Sequence, residues 1–190
     1  MARVGVTPER LTLAAAELAD EVGFAHVTVS ALARGFGVTD ASLYSHIKNA
    51  NDLKTRVALL ALAELADRVA EAVAGRAGKE ALVAFASTHR DYAKQHPGRY
   101  ASMQFELDPQ TLLASAALRH SDMTRAILRG YPTVPEADQM HAVRLLHSTV
   151  HGYVTLESIG GFSHRPGDLD VSWSKVLGGL DAALLNWPSD

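Results

Sequence analysis

Residues 33–53 read ARGFGVTDASLYSHIKNANDL. Two short helical pieces flank Gly37, and a small polar gap precedes Leu53. The stretch fits a helix-turn-helix that enters DNA, or an ordinary helical hairpin. Just upstream, Thr28 is placed to cap the helix TVSALARGF. There Val29, Leu32, Ala33 and Phe36 repeat at i, i+3, i+4 and i+7. Gly37 supplies the backbone freedom that a tight turn needs. Thr39 or Asp40 then opens a third helix, expected to run to about Ile47. Val29, Leu32, Phe36, Val38, Leu43 and Ile47 can share one core with the first helix. Thr39, Asp40, Ser42, Ser45 and His46 leave an accessible polar surface, which suits a brief helix inserted into a major groove. Tyr44 can place its hydroxyl on a phosphate, and Lys48 can add charge there. Thr28 sits at a helix start, where side-chain and backbone donors can meet a phosphate together. In the hairpin reading Tyr44 is a half-buried core residue, and Thr28 and Thr39 are only caps. The face carries no Arg or Gln, so no bidentate base contact can be assigned.

Working outward, the pattern is helical throughout. The first helix is expected over 8–22, with Thr7 as cap, Pro8 in the first turn and Gly23 as stop. Leu11, Leu18 and Val22, with Ala14 and Ala15 between them, form its apolar face. A long fourth helix starts near Asn51 or Asp52. A fifth covers KEALVAFASTHRDYAKQH and ends before Pro97. A short one lies near 98–105, and Pro109 opens another expected to reach about Arg129. GYPTVP breaks the chain, a long helix follows to Gly160–Gly161, SHRPGDLD is a polar loop, and VSWSKVLGGLDAALLNW forms the last helix. The expected fold class is all-α with about nine helices. A three-helix helix-turn-helix domain over 1–50 precedes a helical ligand-binding and dimerisation bundle over 51–190, with the fourth helix joining them directly.

Composition narrows the function. The chain has 190 residues, 47% of them apolar and 21% charged, with no cysteine and a net charge of −3. Absence of cysteine excludes disulfides, thiol nucleophiles and cysteine-based metal centres. There is no run of 18 apolar residues and no signal-like start, so a cytoplasmic protein without a membrane partner is expected. Residues 1–56 hold six Lys/Arg and six Asp/Glu. That neutrality weighs only mildly against DNA, because phosphate contact needs a few placed donors rather than a basic average.

The run from Leu11 to Leu53 resembles the N-terminal DNA-binding domain of the TetR family of bacterial transcriptional regulators. The resemblance rests on the Ala15/Leu18/Gly23 spacing, the Val29–Leu32–Ala33 core, Gly37–Val38, and Leu43–Tyr44–x–His46–Ile47 followed by Asn49 and Leu53. It implies that Thr28, Thr39, Tyr44 and His46 lie at or near the DNA backbone or groove. It also implies a C-terminal ligand pocket and a homodimer through the last two long helices. The family usually carries a lysine after the asparagine, where this chain has Ala50, and Asp40 adds a negative charge at the start of the reading helix. HGYVTLESIGGF resembles a motif of one branch of these regulators, matched by His151, Gly152, Tyr153, Leu156 and Glu157. Glycine inside a helix costs roughly 1 kcal/mol against alanine, so close approach of another helix is expected at Gly152.

Polar residues among apolar ones mark a candidate effector site for a medium-sized organic ligand: His89, Tyr92, Tyr100, Met103, Gln104, Phe105, His147 and His151. His147 and His151 share a helix face and could hold a metal with a third ligand. No third ligand sits at a telling spacing, so neither metal nor cofactor is expected. Catalysis is not expected either. His89 and Asp91 diverge on a helix, His147 and Glu157 are not placed together by their spacing, and no G-x-S-x-G, Walker or H-E-x-x-H motif occurs. The expected function is a DNA-binding regulator, a ligand-responsive repressor acting as a homodimer on palindromic double-stranded DNA. The alternatives are a helical interaction protein with weak or lost DNA binding, and a small-molecule-binding enzyme.

Overall fold

The structure is a computed structural model, and it describes residues 6–164 and 166–188. Every regular element among the described residues is helical. They are α1 (Pro8–Val22), α2 (Val29–Phe36), α3 (Asp40–Leu43), α4 (Ala50–Val73), α5 (Gly78–Gln95), α6 (Pro97–Ser102), α7 (Pro109–Leu113), α8 (Ala117–Leu128), α9 (Gln139–Ser158) and α10 (Leu169–Leu185), with 3-10 turns at Phe24–His26 and Glu136–Asp138. No helix among them is long and apolar enough to cross a membrane. The chain divides into two compact units, Met1–Glu64 with Tyr92–Ala116, and Leu65–Asp91 with Ala117–Asp190.

In the first unit, Thr7 and Thr28 cap α1 and α2. Their hydroxyl oxygens accept from the amides of Arg10 and Ala31, at 3.3 and 3.2 Å. Each cap satisfies a backbone donor that the first helical turn leaves open. Gly37 ends α2 in the left-handed region, at φ 65°. The core joins Leu11, Ala15, Ala16 and Ala19 of α1 to Val29, Leu32, Ala33, Leu43, Ile47, Leu53 and Val57, with Leu18, Phe36 and Val38 half-buried against it. α6 seats on α1 through Gly98, where a Cβ would lie 1.9 Å from the Ala19 carbonyl oxygen. Asp20, one residue on, accepts from the Arg99 amide (2.9 Å), pairs with the Arg99 guanidinium (3.1 Å) and meets His96 Nδ1 (3.1 Å). Glu64 of α4 takes the other side of Arg99 (3.1 Å) and the Tyr92 hydroxyl (2.8 Å).

The second unit is knotted by Arg90. This buried side chain donates two hydrogen bonds to Glu157 of α9, at 2.6 and 2.7 Å, and pairs with Asp170 of α10 at 2.7 Å. Its guanidinium lies 5.5 Å from the Trp173 ring centre and 5.9 Å from that of Tyr153. Elsewhere α5 meets the end of α8 so closely that a Cβ on Gly130 would lie 2.5 Å from the Gly78 nitrogen.

Three expected boundaries are corrected. The third helix stops at Leu43 rather than near Ile47, and residues 44–46 form a turn. There the Ser45 hydroxyl donates to the Ser42 carbonyl at 2.7 Å, a local bond that competes with helix continuation. The helix opened by Pro109 ends at Leu113, and α8 starts separately. Leu112 and Leu113 are exposed, so no packed face carries the helix onward, and the Ser115 hydroxyl takes the Leu112 carbonyl. The last helix starts earlier than expected because Asp168 caps it, accepting from the amides of Asp170 and Val171.

Gly98→Ala should cost about 1–3 kcal/mol in urea unfolding, because its methyl group has nowhere to go. Gly35→Ala, on an exposed face of α2 with open space around it, should instead gain up to about 1 kcal/mol from helix propensity.

Candidate DNA interface and effector site

The loop after α3 presents its polar side chains to solvent because Leu43 and Ile47 turn inward to the core. Tyr44 is 52% exposed, which removes the half-buried role that the hairpin reading would give it. Thr28 is exposed beside the open first turn of α2 while its oxygen caps Ala31. Thr39 stands at the N-cap of α3 without a side-chain capping bond; its hydroxyl lies 2.9 Å from that of Ser42. Ser45 is exposed, His46 is half-buried, and Lys48 is exposed. Asp40 accepts a hydrogen bond from Ser30 of α2, so part of its carboxylate is already engaged within the unit. The eight expected residues thus divide. Tyr44 and Lys48 project outward, whereas Thr28, Thr39, Asp40, Ser42 and Ser45 also hold local structure, and His46 is partly enclosed.

The edge of this surface is fixed by a reciprocal cap. Asn49 Oδ1 accepts from the Asp52 amide at 2.8 Å, and Asp52 accepts from the Lys48 amide at 2.9 Å. Partial burial works to raise the Asp52 pKa. The Lys48 amide and Arg56 outweigh it and hold the carboxyl below its usual range. Asn49 was legible only as part of a family pattern, and its role depends on the capping geometry at the start of α4.

The expected effector residues fall in both units. Tyr92 is buried with its hydroxyl on Glu64, and Tyr100 is buried, which pushes its hydroxyl pKa up. Phe105 packs edge-to-face on Phe24 at 5.7 Å; Met103 is half-buried and Gln104 exposed. These belong to the first unit, and His89, His147 and His151 to the second. There His89 and His147 flank Phe85, with ring centres 4.3 and 5.8 Å from it. His120, which the sequence did not single out, lies 5.8 Å from His89 and is buried. Its only advance signal was its place four residues before Thr124 on one helix face. His151 sits on the next turn of α9, with Nε2 3.4 Å from the Thr155 hydroxyl. Glu157 is bound to Arg90, which ends any pairing with His147. Among the described residues, no group of three or more His, Cys, Asp or Glu is arranged to hold a metal ion.

Hydrogen bonding fixes the tautomer of His89. His89 Nδ1 donates to the Phe85 carbonyl at 2.9 Å. The Thr124 hydroxyl lies 2.8 Å from the His120 carbonyl and 2.9 Å from His147 Nε2, within hydrogen-bond reach of both. Burial, with the neighbouring imidazoles adding to it against the Phe85 bond, pushes His89 down to about 3. Burial also lowers His147 and His151.

Residues 11–53 match the family model described as bacterial regulatory proteins, tetR family, and residues 82–180 match tetracyclin repressor-like, C-terminal domain. The uncharacterized HTH-type transcriptional regulator YobS of Bacillus subtilis is 29% identical over 97% of this chain and 96% of its own. A second uncharacterized HTH-type transcriptional regulator, Rv0681 of Mycobacterium tuberculosis, is 31% identical over 74% of this chain and 65% of its own. The crystal structure of PfmR, a TetR family transcriptional regulator of Thermus thermophilus, superposes with a TM-score of 0.66 at 26% identity, covering 98% of this chain and all of that one.

A histidine neutral in the fold but titrating near 6.5 when unfolded stabilises the fold above that value. The stability is lost as pH falls towards the folded pKa, because the unfolded chain then binds more protons. Stability should therefore drop between pH 6.5 and the folded value of about 3, by up to about 1.4 kcal/mol per pH unit for each such group. Urea denaturation of the wild type and His89→Gln across pH 7 to 5 measures it, and the variant should have the shallower slope.

Proposed function

The chain belongs to the tetR family of bacterial regulatory proteins, and from that premise we propose that it is a ligand-responsive repressor. Membership makes it a DNA-binding regulator. In our reading it acts in the cytoplasm as a homodimer on a palindromic operator, with no enzymatic activity. The region over 1–50 binds DNA, and 51–190 binds the ligand and dimerises. The single observation that carries the DNA-binding part is the exposed Tyr44 hydroxyl, held on a turn whose neighbours Leu43 and Ile47 are locked in the core. With Lys48 beside it, that hydroxyl can grip a phosphate, while Thr28, Thr39, Asp40, Ser42, Ser45 and His46 line the same face. Phosphate contacts of this kind set register on the duplex.

Dimerisation is supported by what a single chain leaves uncovered. A Cβ at Gly152, Gly178 or Gly179 would meet nothing within 4 Å. Met140, Leu156 and Ile159 at α9, and Val171 and Leu185 on α10, are exposed. Helical glycines with open space and large apolar side chains beside them suit the close approach of a second copy. The His151–Gly152 pair is the part of α9 that we assign to the branch with the His-Gly motif. A ligand releases DNA only if it binds one arrangement of the dimer better than the other.

Selection of bound sequences from random duplex DNA, repeated at two salt concentrations, tests the whole reading; enrichment of a palindrome is the expected result. On the selected duplex, Tyr44→Phe should bind about tenfold more weakly, as loss of a hydrogen bond to a charged group predicts, with an unchanged melting curve. Lys48→Ala should lower the salt slope of log affinity by about one. Unchanged affinity and slope would remove both residues from the interface. Gly152→Leu should elute as a monomer in sizing experiments, and a tight dimer would sink the assignment of α9 to the interface.

A further inference from the structure

Two hollows flank the outer face of α1, and all the residues around them belong to the first unit. One, of about 540 Å³, lies between α1 and α2, with Arg10, Leu13 and Glu17 on one wall and Leu32, Gly35 and Phe36 on the other. The second, of about 350 Å³, lies between α1 and α4, where Leu13 faces Leu60. Leu13 borders both, so it is the ridge between them, and it is 46% exposed. Gly35 contributes no side chain to the larger hollow, and the space beside it is open. From Arg10 to Glu21 that hollow follows about three turns of α1, about 16 Å of helix. It is a groove long enough to seat a short helix.

The charges along this face have a direction. Arg10, Glu17 and Glu21 repeat at spacings of seven and four, so they fall on one line of the helix surface. Arg10 stands three residues before Leu13, and Glu17 stands three residues after Ala14. A two-fold axis between Leu13 and Ala14 therefore carries Arg10 of each copy onto Glu17 of the other. It also lays Leu13 against Ala14, and both line the groove. Such a contact is self-complementary. A parallel pairing would set Arg10 on Arg10 and Glu17 on Glu17, and like charges repel. A uniformly basic helix would meet Arg10, and a uniformly acidic one would meet Glu17 and Glu21. Glu17 and Glu21 have no ion-pair partner among the described residues. Arg10 is engaged within its own chain, but a guanidinium has five N–H donors and can serve a second acceptor.

We propose that α1 pairs antiparallel with α1 of a second copy of this chain, Leu13 of each entering the groove between α1 and α2 of the other and Arg10 meeting Glu17 across the two-fold axis. The contact is separate from α9 and α10 and does not rest on the ligand-responsive reading. None of the eight residues read as facing DNA lines either hollow, so the pairing leaves that surface open. Three helical turns make a small interface, below the roughly 1,000 Å² of a contact that stands alone. The pairing is therefore weak by itself. It tells most where molecules are already held side by side, as at neighbouring sites on one duplex.

The chain has no cysteine, so one introduced thiol reports on one place. Ala14→Cys keeps Leu13 and puts the thiol beside the two-fold axis. The full chain carrying it is treated with a short bismaleimide, and the initial rate of covalent dimer formation is read on denaturing gels. The reference is Glu106→Cys, at an exposed position of the same unit. Each rate is divided by that of labelling the same thiol with N-ethylmaleimide, which removes differences in access. Ala14→Cys should link about tenfold faster than the reference, because pairing holds the two thiols at a high effective concentration. Added to it, Arg10→Glu or Glu17→Arg alone should slow linking about fivefold, since either one sets like charges together at both cross-pairs. The double exchange should restore the rate. The link should persist in Gly152→Leu, so failure of the α9 assignment and failure of this one are told apart. Equal rates for Ala14→Cys and Glu106→Cys would give the groove to an occupant other than a second copy and overturn the proposal. Rates blind to both reversals, or a folded double exchange that stays slow, would overturn it too. The comparison of the two thiols decides the matter if a charge variant does not fold.

Discussion

A methyl group at residue 98 would lie 1.9 Å from the carbonyl oxygen of Ala19, and that contact governs the first unit. It lets the backbone of α6 rest directly on that of α1. The polar groups then have to be matched at short range. Asp20 accepts from the Arg99 amide and meets the Arg99 and His96 side chains, and Glu64 closes the other side. Backbone-to-backbone packing leaves little slack, because interiors are as dense as organic crystals. Any displacement of α6 is therefore felt at α1, whose apolar face is the floor under α2 and α3.

The second unit relies on a different device. Arg90 is buried, and one guanidinium serves Glu157, Asp170 and two aromatic rings. A buried charge of this kind is worth little against an apolar replacement, but removing one partner leaves the other uncompensated. Its value lies in specifying how α5, α9 and α10 meet. His89, His147 and His151 follow the opposite logic: burial lowers their pKa and so favours the neutral imidazole, which carries no charge to compensate.

Much of the DNA-binding head was legible from spacing. The repeat Val29, Leu32, Ala33, Phe36 and the later pair Leu43, Ile47 fix which faces turn inward, and capping threonines and glycines fix where α1 and α2 start and stop. The end of α3 was not legible, because Ser45 chooses between helix and local turn by a single hydrogen bond. The break between α7 and α8 was missed because Leu112 and Leu113 look like a core face and are instead exposed. The effector residues were the least legible. A tyrosine or histidine among apolar neighbours reads alike whether it lines a cavity or satisfies a carboxylate, as Tyr92 does with Glu64.

The sequence by itself determined an all-helical chain, the core and turn of its helix-turn-helix, and the outward polar face that follows Thr39. Those follow from periodicity and capping, which act over a few residues. Only the tertiary structure decided that Glu157 belongs to Arg90, 67 residues away, and that His120 joins His89. Such pairings carry no local signature, since a charge or an imidazole finds its partner through the packing of helices far apart in the chain.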